Sequence, residues 1–288
     1  PDPLGLFHPA VASWFLEAFP GGPTAAQRLA WPAIASGENV LLVSPTGTGK
    51  TLAAFLVALD GILRRRLEGD DGPRLATLYV SPLKALDNDV HRNLERPRAG
   101  IAAQLGAGRV PITTAVRTGD TPTRERTSQL KAPPDVLITT PESLYLMLTG
   151  SGRRALEGVS TVVLDEVHSV AGTKRGSHLA LSLERLEEVI ARAGGTPPQR
   201  VALSATIAPV DVVAAFASGT GRRMKPLVVP AKKALDLVVA SPAPDFRDLP
   251  DGSAWGPAVE AVVKEVASRR TTLVFCNNRR LAEKVARK

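Results

Sequence analysis

Short apolar runs punctuate the chain at intervals too long for hairpins. They fall at Asn39–Val43, Leu75–Val80, Ile112–Val116, Val136–Thr139, Thr161–Leu164 and Val201–Leu203. Most are near-continuously apolar and rich in β-branched residues, which predicts strands buried on both faces. Between them, helical periodicities run over Gly49–Arg66, Leu83–Arg96, Pro141–Leu148 and Gly176–Arg192. Repeated strand–helix alternation predicts an α/β fold, a mostly parallel sheet with helices on both faces. Such sheets bind ligands in the crevice beyond the carboxyl ends of their strands.

The polar clusters fall at those ends. Ser44–Thr51 follows the first strand, Ser81-Pro82 the second and Thr118-Gly119-Asp120 the third. Thr139-Thr140-Pro141 follows the fourth, Asp165-Glu166 the fifth and Ser204-Ala205-Thr206 the sixth. Scattered polar residues would not line up in this way, so a functional rim is expected. Beyond about Val210 the pattern changes. Residues 225–252 are rich in proline and poor in helical period, as in a linker or crossing segment. A helix pattern over Trp255–Arg269, a strand-like run over Thr271–Cys276 and a basic tail follow. One helix, one strand and a tail are too little for a separate core. The expected organisation is a first domain over 1–222, a crossing segment over 223–252, and the beginning of a second domain over 253–288.

Composition narrows the class. Hydrophobic residues make up 44% and charged residues 22% of the 288, ordinary for a globular protein with a real core. The formal charge of +8 leans towards polyanionic partners, although a solvated basic surface accounts for it equally well. The single cysteine, Cys276, excludes an intrachain disulfide and a cysteine-rich zinc site and fits a reducing cytoplasm. Its place in Leu273-Val274-Phe275-Cys276 suggests a buried thiol. No signal-peptide pattern opens the chain, and the longest apolar candidate, Leu52–Leu63, is broken by Asp60, so no membrane span is expected.

Candidate chemistry begins at Ser44-Pro45-Thr46-Gly47-Thr48-Gly49-Lys50-Thr51. Glycines between a strand and a helix let backbone N–H groups of Thr46, Gly47, Thr48 and Gly49 curl round phosphate oxygens. Lys50 would reach the β- and γ-phosphates of a nucleotide, and the Thr51 hydroxyl would ligate Mg²⁺. Ser44 stands where the strict pattern has glycine, which argues against a generic small-molecule kinase loop. Asp165 and Glu166 end an apolar strand and can divide the work. Asp165 suits the Mg²⁺ shell, and Glu166 suits orienting and deprotonating water. His168 is read either as a structural histidine or as a sensor of the γ-phosphate.

In order and spacing, Ser-Pro-Thr-Gly-Thr-Gly-Lys-Thr, Ser-Pro-Leu-Lys-Ala-Leu, Thr-Thr-Pro-Glu-Ser-Leu, Asp-Glu-Val-His and Ser-Ala-Thr together resemble motifs I, Ia, Ib, II and III of superfamily 2 helicases. Within that superfamily, Arg117–Pro122, Gly172–Leu179 and Lys84–Leu94 look like the Lhr (large helicase-related) subfamily. The resemblance implies a RecA-like P-loop NTPase domain and the start of a second RecA-like domain, with the remaining helicase domains supplied in cis. It implies an ATP- and Mg²⁺-dependent motor that moves 3′-to-5′ on single-stranded DNA and unwinds DNA or RNA:DNA duplexes. Gln27 matches the family glutamine that reads adenine, a role suited to an amide that can donate and accept together. Phe7 or Trp14 could stack on the base, while helix-face core is expected for at least two of Phe7, Trp14, Phe15 and Phe19.

The resemblance also assigns nucleic-acid contacts to Ser81, Pro82, Leu83 and Lys84, to Thr118, Gly119 and Asp120, and to Thr140, Pro141, Glu142 and Ser143. Hydroxyls and backbone N–H groups suit phosphate contacts that fix register without reading bases. Arg124 and Arg126 are further candidates there. Ser204 and Thr206 are read as couplers that hydrogen-bond towards the acidic pair. Asn277-Asn278-Arg279 resembles the opening of the second domain, whose arginine fingers are not found among these residues. Residues 1–288 alone are therefore expected to bind nucleotide and hydrolyse it poorly. An ATP-gated nucleic-acid clamp that does not unwind is a rival class. A P-loop kinase is another, but it gives no reason for the Thr-Thr-Pro-Glu box.

Overall fold

The structure of the protein is a computed structural model that describes residues 2–70, 74–82, 84–106, 112–205, 207, 209–230, 236–242, 245, 247 and 253–287, with the side chains of 84–89 outside the description. It divides into two units, Pro1–Ala231 and Lys232–Lys288.

The first unit opens with helices α1 (Pro9–Ala18) and α2 (Ala25–Ala35), then β1 (Val40–Val43), α3 (Lys50–Leu67), β2 (Thr77–Val80), α4 (Lys84–Leu105) and β3 (Thr114–Arg117). It continues through α5 (Thr123–Lys131), β4 (Val136–Thr139), α6 (Pro141–Thr149), β5 (Thr161–Leu164), α7 (Lys174–Arg192), β6 (Gln199–Ser204), α8 (Val210–Ser218) and β7 (Lys225–Val228). The strands form one sheet in the order β3-β4-β2-β5-β6-β1-β7. Every pairing is parallel.

Successive side chains of a strand point to opposite faces, and both faces are buried here. Val40 and Leu42 of β1, Tyr79 of β2, Val136 and Ile138 of β4 and Val163 of β5 pack with Phe15, Trp31, Leu56 and Leu94 of α1 to α4. Their neighbours Leu41, Val43, Leu78, Val80, Leu137, Val162 and Leu164 pack with Leu144, Leu183, Leu186 and Val213 of α6 to α8. This two-sided burial is why the strands read as unbroken apolar runs.

The sequence expectation needs correction at two places. β7 lies inside the segment read as a linker and pairs with β1, from Val40 beside Lys225 to Val43 beside Val228. It is an edge strand that buries only Leu227 and tolerates Pro226, so it shows no strand period. The second unit holds α9 (Trp255–Ser268) and α10 (Arg279–Ala286), with the Lys284 ammonium 4.0 Å above the Trp255 ring. Thr271–Cys276 is not a strand. Phe275 is 90% exposed and Cys276 only part-buried, because this run has no strand beside it among the described residues of its unit. No helix among the described residues is long and apolar enough to cross a membrane.

Candidate active site and nucleic-acid edge

The strand order sorts the polar clusters in a way the chain order does not. β5, β6 and β1 are neighbours, so Asp165-Glu166, Ser204 and the Ser44–Thr51 loop share one stretch of the sheet's carboxyl edge. β3, β4 and β2 are neighbours too, and they carry the Thr118, Thr140 and Ser81 clusters beside it.

At the phosphate loop, Gly47 and Gly49 adopt φ of 78° and 82°, the left-handed region open to glycine. A Cβ on Gly49 would stand 2.7 Å from Gln27 Nε2. The glycine thus serves both the turn into α3 and the packing of α2 on the loop. Thr48 Oγ1 donates to Pro45 O at 2.8 Å, and Thr24 Oγ1 donates to Thr48 O at 2.8 Å. Lys50 is buried, and its ammonium donates to Ser44 O at 2.8 Å and Pro45 O at 2.9 Å. Burial lowers its pKa, and the Glu166 and Asp165 carboxylates work against that shift.

Beside the loop is a cavity of about 570 Å³. Thr46, Gly47, Gly49, Lys50, Thr51 and Glu166 line it. Trp14, Phe19, Gln27, Asn93 and Arg96 are also among its lining residues. Gln27 also completes a capping box, with Thr24 N–H donating to its Oε1 at 2.9 Å and its own N–H donating to Thr24 Oγ1. Of the four aromatics, Phe7, Trp14 and Phe15 are core and Phe19 packs against them, and Trp14 and Phe19 also line the cavity. The Arg96 guanidinium lies 5.6 Å from the Phe19 ring.

Asp165 is 6% exposed, and its Oδ1 accepts the Glu166 N–H at 2.9 Å. Its Oδ2 accepts the Tyr79 hydroxyl, a residue the sequence reading did not select. Tyr79 stacks on Phe55, and its phenol also interacts with the Thr51 hydroxyl. One buried phenol therefore joins the phosphate loop to the acidic pair. Burial raises the pKa of Asp165, and the Tyr79 hydrogen bond works against it; burial and Asp165 together push the phenol well above its ordinary value. A tyrosine in a strand buried at all four positions was the available signal. Tyr79→Phe should cost about 1.5–3 kcal/mol of unfolding free energy, the worth of a hydrogen bond to a charged group. Urea unfolding of both proteins checks this, and equal midpoints would contradict it.

Glu166 is the one non-glycine with positive φ among the described residues, at 46°. Such strain concentrates where a side chain must be aimed, and here the turn carries the carboxylate from the end of β5 to the cavity. His168 Nε2 lies 3.4 Å from Glu166 Oε2. Its Nδ1 accepts the Ala205 N–H at 3.4 Å and is 3.2 Å from Ser204 Oγ. With Nδ1 accepting, the proton of a neutral ring sits on Nε2, towards Glu166. Ser204 thus touches the acidic segment through His168, and its carbonyl accepts Ser44 N–H at 3.1 Å. Thr206 and Leu83 lie outside the described residues, as does the side chain of Lys84.

On the neighbouring edge, most of the selected hydroxyls are buried. Thr118 Oγ1 accepts Asp120 N–H at 3.3 Å, and Thr140 Oγ1 accepts Ser143 N–H at 3.3 Å, capping α6 behind Pro141. Arg126 donates to Thr118 O and Gly119 O, so it braces the turn rather than projecting from it. Gly119, Asp120 and Glu142 are exposed. Glu142 does not face solvent alone, because Arg175 Nε and Nη2 donate to its two oxygens at 2.5 and 2.9 Å.

A parallel sheet whose first strand turns through a glycine-rich loop, with Ser at the end of the neighbouring strand and Asp-Glu at the end of the strand beyond it, defines a RecA-like nucleotide-binding domain. Residues 24–214 match the DEAD/DEAH box helicase model, and the chain belongs to that family. It is 49% identical over 290 residues to the Lhr helicase/probable uracil glycosylase of Mycolicibacterium smegmatis, covering 99% of this chain and 18% of that protein. It is 42% identical over 288 residues to the ATP-dependent helicase Lhr-Core of Methanothermobacter thermautotrophicus, covering 97% of this chain and 33% of that one. The solved structure of Mycobacterium smegmatis helicase Lhr bound to ssDNA and AMP-PNP superposes with a TM-score of 0.84 at 48% identity, covering 99% of this chain and 36% of that one. The chain thus spans between 18% and 33% of the length of the two relatives.

Proposed function

We propose that the chain is the ATP-binding half of an Lhr-type helicase motor, which moves 3′-to-5′ on single-stranded DNA and unwinds DNA or RNA:DNA duplexes. The observation that carries this reading is the division of one sheet edge. The phosphate loop, acidic pair and Ser204 occupy three adjacent strands, and the Ser81, Thr118 and Thr140 clusters occupy the three beside them. A small-molecule kinase has no use for the second set.

ATP supplies the transferable γ-phosphoryl group, and Mg²⁺ supplies charge neutralisation at its oxygens. Thr51 and Asp165 would hold the cation. Both are oxygen donors joined through Tyr79, and such sites take few protein ligands because phosphates and water complete the shell. Lys50 neutralises phosphate charge, Gln27 orients the base, and Glu166 accepts a proton from water, with His168 holding its carboxylate. Residues 253–288 begin the second RecA-like domain, and a cytoplasmic site of action fits a nucleic-acid motor.

The test is strand displacement by the complete protein on duplexes carrying a 3′ or a 5′ single-stranded tail. ATP-dependent release from the 3′-tailed duplex alone is expected. ATP-sensitive binding without release from either would replace the motor with an ATP-gated clamp.

A further inference from the structure

The segment Gly172–Leu179 is unused by the chemistry above, yet it is tightly built. Gly172 turns with φ of 80°, and Thr173 caps α7 by accepting Gly176 N–H at 3.1 Å. A Cβ on Gly176 would stand 2.1 Å from Val170 O, so only glycine allows this approach of α7 to the preceding turn. Between the two anchors stands Arg175. Its Nε and Nη2 form a fork on the Glu142 carboxylate, and its Nη1 donates to Pro82 O. This bond holds the Glu142 carboxyl below its ordinary range. Pro82 follows β2 and Glu142 lies in the first turn of α6 after β4, so one guanidinium ties together the tips of two neighbouring strand ends.

We propose that Arg175 is a positioning residue for nucleic-acid binding, holding the Pro82 and Glu142 loops in register as one rigid edge, with Glu142 acting through Arg175 and not on the nucleic acid. This inference rests on the reading of that edge as the strand-binding face. A phosphate backbone gripped by hydroxyls and N–H groups of two loops needs those loops at a fixed spacing. The guanidinium is suited to this because its planar fork constrains direction as well as distance, which a lysine would not. The side chains of Arg175 and Glu142 are 38% and 53% exposed, so the pair contributes little to global stability and its loss leaves a folded protein.

The sign of one effect separates this role from simple electrostatics. Removing a carboxylate near a polyanion should tighten binding if charge alone matters. If Glu142 acts by holding Arg175, Glu142→Ala should weaken it. Binding of a fluorescein-labelled single-stranded oligonucleotide is measured on the complete protein, alongside thermal unfolding and DNA-stimulated ATP turnover. We expect Arg175→Ala and Glu142→Ala each to raise the dissociation constant about tenfold, and the double variant to be no worse than either alone. The DNA concentration for half-maximal turnover should rise in parallel, with kcat at saturating DNA retained and melting unchanged. Tighter binding by Glu142→Ala, additive losses in the double variant, or Arg175→Ala within twofold of the parent would each overturn the proposal. If the parent protein binds no oligonucleotide, the reading of the edge itself fails and the proposal with it.

Discussion

Glu166→Gln is expected to lower ATP turnover by about 10²–10⁴-fold, the range of a lost general base, while nucleotide affinity changes by less than about threefold. The geometry separates the two effects. The carboxylate is carried to the cavity by a backbone at φ 46°, beside Lys50 and Thr51. An amide of the same shape keeps an acceptor for His168 Nε2 and leaves the loop's contacts intact, but it cannot take a proton from water. Phosphate release under saturating single-stranded DNA and titration with a fluorescent ATP analogue, both on the complete protein, read the two quantities separately. Near-normal turnover would remove Glu166 from the role of base. Lost affinity with normal turnover would make it a binding residue.

The second large effect is expected far from the chemistry. Arg200, at the start of β6, is 1% exposed. Its guanidinium donates to Glu187 Oε1 at 2.7 Å and Glu184 Oε1 at 3.0 Å, and to Ala217 O and Ser218 O at 3.1 and 3.0 Å. The last two are carbonyls at the end of α8, where a cation also meets the negative end of the helix dipole. Arg222 shares both carboxylates, so the network binds α7, β6, α8 and the approach to β7. Arg200→Met strands a buried Glu187 carboxylate with Arg222 alone and leaves two carbonyls unpaired. Breaking such a pair costs about 3–5 kcal/mol, or on the order of 10 °C in Tm for a unit of this size. Glu184, whose side chain is 38% exposed, should lose no more than about 1 kcal/mol as Gln. Thermal unfolding of the two variants checks the contrast. Similar melting of both would mean that solvent, and not Arg200, compensates Glu187.

Legibility from the sequence followed burial symmetry. β1, β2, β4, β5 and β6 are covered on both faces, so their apolar runs stood out. β7 was missed because an edge strand with one buried residue has no period to detect. Thr271–Cys276 misled for the converse reason, since apolar content makes a strand only where a neighbour can take its hydrogen bonds. The glycine-rich turn at Ser44–Thr51 and the adjacent acids Asp165 and Glu166 stood out because each pattern is local, formed by neighbouring residues on one turn. Tyr79, Arg175 and Arg200 were not. Each works through partners distant in the chain: Asp165, then Glu142 and Pro82, then Glu184, Glu187 and the end of α8.

The sequence by itself determined the parallel α/β class and which residues, Ser44–Thr51 and Asp165-Glu166 among them, stand at strand ends, because hydrophobic period and turn chemistry act within one element. Only the tertiary structure decided which strand ends are neighbours. The order β3-β4-β2-β5-β6-β1-β7 makes two working groups of six loops. It also lets single side chains from β2, α7 and β6 tie those loops and helices together. That information resides in through-space distances between residues far apart in the chain, and no periodicity along the chain encodes it.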